Sequence, residues 1–192
     1  LNNKDEITAL EKKLPKSIDV FINNAYTWPT NVHLESLDWD DVVNTFVTGS
    51  VSPLFLSKMA FEKMKKGGSV INIASMYGIV SPDFRIYRDS GMGNAAHYGA
   101  SKAALIQLTK YLAVRGGLLN IRVNAISPGP FSRPGTFDNG KEWFKEELIT
   151  KMPLGRIGEN WELKGVVALL ASDLGTYITG QNISVDGGWT IW

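Results

Sequence analysis

The sequence predicts an α/β fold: a doubly wound parallel sheet with helices on both faces. Short apolar runs at 18–22, 69–74 and 121–126, rich in Ile, Val and Phe, have the composition of strands buried on both sides. Stretches of ten residues or more with helical character separate them, as the crossovers between parallel strands require. Each run then ends on polar or Gly/Pro residues, at Asn23-Asn24, at Ser75 and at Ser127-Pro128-Gly129. In open sheets of this kind ligands gather beyond the carboxyl ends of the strands, so these termini converge on one rim.

The elements follow in order. Residues 4–13 form a charged surface helix that ends near Pro15. Residues 17–25 hold the first strand, with Ile18, Val20, Phe21 and Ile22 buried on both faces. Residues 38–66 are a long helical stretch offering Val42, Phe46, Phe55, Met59 and Met64 for burial, kinked or divided at Pro53. Gly67-Gly68 breaks it, and 69–74 form the second strand, ending at Ser75. After a long loop, residues 97–115 form a helix with Leu105, Leu108 and Leu112 on one stripe. Residues 121–126 are a third strand, stopped by Ser127-Pro128-Gly129-Pro130, with a Gly/Pro-rich loop over 131–140. Short helices at 141–151 and 161–170 follow, the second turning Val166, Val167 and Leu170 inward. The strand at 182–185 is closed by Asp186-Gly187-Gly188.

Composition narrows the function. At 192 residues, with 44% hydrophobic residues and a mean hydropathy of −0.07, the chain is an ordinary globular domain. A net charge of +1 gives no nucleic-acid footprint, and no uncharged stretch is long enough to span a membrane. With no cysteine there is no disulfide framework and no thiolate metal site, which fits a reducing compartment, the cytoplasm. His33 and His97 are too few for a typical zinc site, so no metal is expected.

The chemistry-bearing stretch is Tyr98-Gly-Ala-Ser-Lys102. Residues four apart on a helix share a face, which places an ammonium beside a phenol. A positive neighbour favours phenolate and lowers the phenol pKa, so such a tyrosine can exchange a proton near neutral pH. Alone, the spacing far more often marks a half-buried aromatic and a solvated helix lysine.

Taken together, these segments resemble the short-chain dehydrogenase/reductase family. Asn23-Asn24-Ala25, Ile71-Asn-Ile-Ala-Ser75, Tyr98-Gly-Ala-Ser-Lys102, Ile121-Arg-Val-Asn-Ala-Ile-Ser-Pro-Gly129 and Gly180-Gln-Asn-Ile-Ser-Val-Asp-Gly-Gly188 follow that family's motifs in its order. The resemblance implies a Rossmann-type sheet binding NAD or NADP, and hydride transfer between nicotinamide and a carbonyl or alcohol. It makes Tyr98 the acid/base, Lys102 the group that lowers the Tyr98 pKa and bonds the nicotinamide ribose, and Ser75 a donor to the substrate oxygen. It places Pro128, Gly129 and Phe131 beside the nicotinamide, and Asn24, Ala25 and Tyr26 beside a cofactor ribose. It also implies a homo-oligomer, dimer or tetramer, paired through the helices at 38–66 and 97–115. The tail Trp189-Thr-Ile-Trp192 suits either an interface or a core plug.

The chain departs from the family pattern in places. The Gly-rich phosphate loop is absent, so the sequence reads as a single domain forming the C-terminal part of the fold, without the first βαβ units. On that reading the strand at 18–25 is left as an exposed apolar edge. Phe46 occupies the position seven beyond Trp39 where the family usually has Asn, and Tyr26 stands where it often has Gly. The segment 82–96, between Ser75 and Tyr98, is longer than usual. It is expected over the substrate pocket, where Arg85 or Arg88 would grip an anionic or sugar-like substrate. Two alternatives stand beside an oxidoreductase acting on a carbonyl or alcohol, including a sugar derivative. One is a catalytically weak relative that binds a nucleotide or partner. The other is an extended-type sugar epimerase or dehydratase, against which the Asn-Asn-Ala strand end and Val-Asp-Gly-Gly terminus argue.

Overall fold

The computed structural model describes residues 1–131, 137 and 140–192. Helix α1 (Lys4–Glu11) begins at Asn3, whose side chain accepts a hydrogen bond from the Glu6 N–H. Strand β1 (Val20–Asn23) is followed by α2 (Trp39–Phe46), α3 (Ser52–Lys63), β2 (Gly68–Ile73) and α4 (Ala96–Gly117). Then come β3 (Ile121–Pro128), α5 (Glu142–Thr150), α6 (Leu163–Ala171) and β4 (Asn182–Val185). Among the described residues the strands form one four-stranded sheet, ordered β1-β2-β3-β4 and parallel throughout.

The strand alternation sorts side chains to two covered faces. Val70 and Val123 pack with Ala60 and Met64 at the end of the α3 stretch and with Leu112 and Ala113 of α4. Their neighbours Ile71 and Ile126 point the other way and pack on Leu170 of α6. A polar chain crosses the first face. The Asn23 amide donates to Asn72 Oδ1 at 2.7 Å and to Ser57 Oγ at 3.0 Å, and the Asn72 amide donates to Thr109 Oγ1 at 2.9 Å.

Several expectations are corrected in detail. Strand β1 is not buried on both faces: it lies at the sheet edge, and Val20 and Ile22, on the face away from α3, are exposed. Phe55, expected inside, is also exposed. The long helix is divided not at Pro53 itself but just before it, by a π-turn at Val47–Val51. There the Ser52 N–H reaches back to the Val47 carbonyl. Widening the turn accommodates the proline ring, which a regular α-turn would press against the carbonyl four residues back. Strand β3 runs on to Pro128, which carries its end up to the rim. Most of the loop predicted at 131–140 lies outside the described residues.

Candidate active site

Beyond the carboxyl ends of β1, β2 and β3 lies a cavity of about 550 Å³. Its lining includes Asn24, Tyr26, Ser75, Tyr98, Lys102, Pro128, Gly129 and Phe131. The sequence-predicted residues thus meet in one volume, with the exception of Ala25, Arg85 and Arg88. Ala25 lines a neighbouring cavity on the β1 side, which Asn24 and Tyr26 share.

Close backbone approach brings Ser75 to the helix that carries Tyr98. Beyond β2, a short 3₁₀ turn at Met76–Gly78 lies against α4. A Cβ on Gly78 would sit 2.8 Å from the Lys102 carbonyl carbon, and one on Gly99 would sit 2.6 Å from the Tyr77 carbonyl oxygen. Glycine at both positions lets turn and helix touch along their backbones. Ser75 caps the turn in extended conformation, and its Oγ accepts from the Tyr77 N–H at 3.2 Å. The hydroxyl proton remains free to be donated toward the cavity.

Tyr98 and Lys102 lie in the first two turns of α4, both buried. The Lys102 ammonium donates to the Ile73 carbonyl at 2.9 Å and sits 4.4 Å from the centre of the Tyr26 ring. Burial lowers the Lys102 pKa from 10.5 to about 8, because the charged form loses hydration there. Burial likewise pushes the Tyr26 phenol up to about 12 and raises that of Tyr77 further, so both stay neutral. The Tyr98 ring is stacked by Trp28, with centroids 5.0 Å apart at 16°, and met edge-on by Tyr26 at 5.4 Å. Trp28 rides on a loop tied down by Asp41 of α2, whose carboxylate accepts from the Thr30 and Asn31 N–H groups at 3.0–3.1 Å. His97, next to Tyr98, approaches the same carboxylate at 3.5 Å.

Sequence reasoning missed Trp28, Asn94 and Asn160 in the cavity wall. Trp28 lies three residues beyond the Asn-Asn-Ala strand end, a proximity that could have marked it; the two asparagines carry no sequence signal.

Arg85 and Arg88 are corrected: neither lines the cavity. Arg85 forks onto Asp83 through Nε and Nη2, both at 2.8 Å. Arg88 forks onto Glu147 of α5, its guanidinium 5.0 Å from the centre of the Trp143 ring. Lys151 joins Asp83 at 2.7 Å, and Tyr87 stacks on Phe144. These contacts fasten the 82–96 segment to α5, and both guanidinium groups are engaged by carboxylates outside the cavity. The segment buries Ile86 and Tyr87 against Leu148, Met152 and Trp189, so it is packed structure rather than an open loop. The tail divides accordingly: Trp189 joins this core, whereas Ile191 and Trp192 are exposed.

The cavity fits the nicotinamide–ribose end of a dinucleotide. It offers a buried ammonium, a Pro-Gly wall and the Asn94 carbonyl oxygen, which is buried without a hydrogen-bond partner. Gly129 also packs so tightly that a Cβ would lie 2.6 Å from Asp186. Among the described residues, no Gly-rich loop for a pyrophosphate follows a strand.

A family model described as Enoyl-(Acyl carrier protein) reductase matches residues 3–190. The chain is 35% identical over 195 residues to a 7alpha-hydroxysteroid dehydrogenase of Bacteroides fragilis, covering 100% of this chain and 71% of that protein. It is 34% identical over 198 residues to the 3-oxoacyl-(acyl-carrier-protein) reductase FabG of Thermotoga maritima, covering 100% of this chain and 75% of the relative. Among solved structures, a short-chain dehydrogenase of Leptospira borgpetersenii with bound NAD+ superposes with a TM-score of 0.83 at 33% identity. That likeness covers 97% of this chain and 70% of the other.

Proposed function

The chain belongs to the short-chain dehydrogenase/reductase family of NAD(P)-dependent oxidoreductases, and on that premise we propose that Ser75, Tyr98 and Lys102 carry its chemistry. The observation that supports this assignment most strongly is their sharing one cavity at the carboxyl rim of the sheet, with the Lys102 ammonium buried one helical turn from the Tyr98 phenol. NAD(P), when bound, supplies or accepts the hydride. Ser75 donates its hydroxyl proton to the substrate oxygen and fixes that oxygen in place. Tyr98 Oη gives up its proton as a carbonyl is reduced, or takes one as an alcohol is oxidised. Lys102, positively charged, stabilises the resulting phenolate and is the residue that would hold the nicotinamide ribose. Pro128, Gly129 and Phe131 would border the nicotinamide, and Asn24, with the Ala25 and Tyr26 backbone, a cofactor ribose. The walls formed by Trp28, Met76 and Leu163, with Asn94 and Asn160 between them, suit a carbonyl or alcohol on a flat apolar or sugar-like body.

The test follows absorbance at 340 nm with NADH and NADPH, using the full-length protein and a panel of 3-oxoacyl thioesters, hydroxysteroids and sugars. Tyr98→Phe is expected to lower kcat by roughly 10²–10⁴-fold, the range of general acid–base catalysis. Ser75→Ala is expected to lower it by about 10²-fold, as loss of one preorganised donor does. A Tyr98→Phe enzyme of undiminished rate would sink the assignment. Phe46, where the family usually has Asn, favours a second reading, a weakly catalytic nucleotide-binding relative. Tight cofactor binding without turnover on any substrate would support it. No described helix is long and apolar enough to cross a membrane. The cysteine-free composition supports a reducing compartment such as the cytoplasm.

A further inference from the structure

The Lys102 ammonium is buried in a cavity that supplies no anion. Among the described lining residues the titratable groups are Tyr26, Tyr77, Tyr98 and Lys102, and no carboxylate is present. The nearby carboxylate on the packed elements, Asp41 of α2, is engaged by two backbone N–H groups and faces His97 of α4; its charge is felt at the Tyr26 phenol. Tyr77 is held neutral by burial. An ammonium with one carbonyl acceptor in such a place holds its proton less tightly than a free lysine does.

What faces it is a ring. The Lys102 nitrogen lies 4.4 Å from the Tyr26 centroid, within the 6 Å over which an aromatic quadrupole attracts a cation. Tyr26 is itself locked: its ring meets Trp28 edge-on at 5.9 Å and Tyr98 at 5.4 Å, and its phenol lies beside the Ser101 and Thr45 hydroxyls. We propose that the face of the half-buried Tyr26 ring is the counter-group of Lys102, a positioning residue that keeps the ammonium charged and aimed at Tyr98. The proposal rests on the assignment of Lys102 and Tyr98 above, and adds a group that touches the lysine rather than the substrate.

The test is made on the full-length protein with lysine labelled with ¹³C at Cε. The Lys102 resonance is assigned by its loss in Lys102→Met and followed by NMR against pH. Tyr26→Phe keeps the ring and is expected to hold the Lys102 midpoint within about 0.3 pH unit of the parent. Tyr26→Leu fills the space without a quadrupole, and the midpoint is expected to fall by about one pH unit. If Tyr26→Leu does not fold, 3,4,5-trifluorophenylalanine at position 26 keeps the shape, weakens the quadrupole, and should lower the midpoint in the same direction. A midpoint unchanged or raised in these ring-weakened proteins overturns the proposal. The alkaline limb of kcat should move down with the midpoint and recover in Tyr26→Phe, which a purely structural role would not produce. The two ideas separate cleanly. A midpoint that moves while Tyr98→Phe retains activity overturns the catalytic assignment alone; an unmoved midpoint with Tyr98→Phe inactive overturns the role of Tyr26 alone.

Discussion

Lys102 keeps its charge at a cost that the rest of the fold must cover. Its pKa is about 8 in the folded chain against 10.5 for a free lysine, so the folded state binds its proton less tightly than the unfolded state does. The unfolded state therefore holds more protons between pH 8 and 10.5, and stability attributable to this group rises across that window. Below about pH 8 the full penalty applies, on the order of 3 kcal/mol. Lys102→Met should thus melt at higher temperature than the parent at pH 7, by an amount that shrinks as the pH rises toward 10.5. A parent–variant gap that stays constant over this range, measured by thermal denaturation, would contradict the assignment of the cost to burial. The expected variant is more stable and inactive, as a strained functional group predicts.

At the scale of elements, contact between the 3₁₀ turn after β2 and helix α4 decides whether the site forms. Gly99→Ala places a Cβ 2.6 Å from the Tyr77 carbonyl oxygen, and backbone on both sides leaves no flexible side chain to yield. Overpacking of this kind costs roughly 1–3 kcal/mol. It should also displace Ser75 from Tyr98, so kcat is expected to fall by more than tenfold while the protein still folds. A Gly99→Ala enzyme with parental kcat would show that the turn has freedom to shift. The strands and helices were legible from sequence because apolar runs and Gly/Pro stops report local structure. Tyr98, Lys102, Ser75 and the Pro128-Gly129 wall were legible because they sit at fixed offsets from those elements. The destination of Arg85 and Arg88 was not, since Glu147 lies far along the chain and only folding sets α5 beside the 82–96 segment. The π-turn was equally hidden: Pro53 announces an interruption, but not on which side the helix absorbs it.

For the whole molecule, the outer surfaces of the long helices carry exposed apolar side chains. Tyr111, Val114 and Leu118 recur along one side of α4 and just past its end, and each is more than half exposed. Val51, just before α3, and Phe55, one turn on, are exposed at 41% and 51%. Apolar stripes of this kind support the proposed homo-oligomer paired through these helices. Tyr111→Glu with Val114→Glu should convert the full-length protein to monomers in light scattering, and an unchanged mass would place the interface elsewhere. The polar chain from Asn23 through Asn72 to Thr109 has a consequence of a different kind. Parallel pairing among aliphatic strands is nearly indifferent to alignment, because Val and Ile substitute freely for one another. Sliding β1 by the single position that sets Ile22 opposite Asn72 would bring an aliphatic side chain where Asn72 needs an amide, and would strand several hydrogen-bonding atoms in dry surroundings. The asparagines therefore proofread the assembly: a misaligned sheet is rejected on polar grounds before any cofactor or substrate arrives.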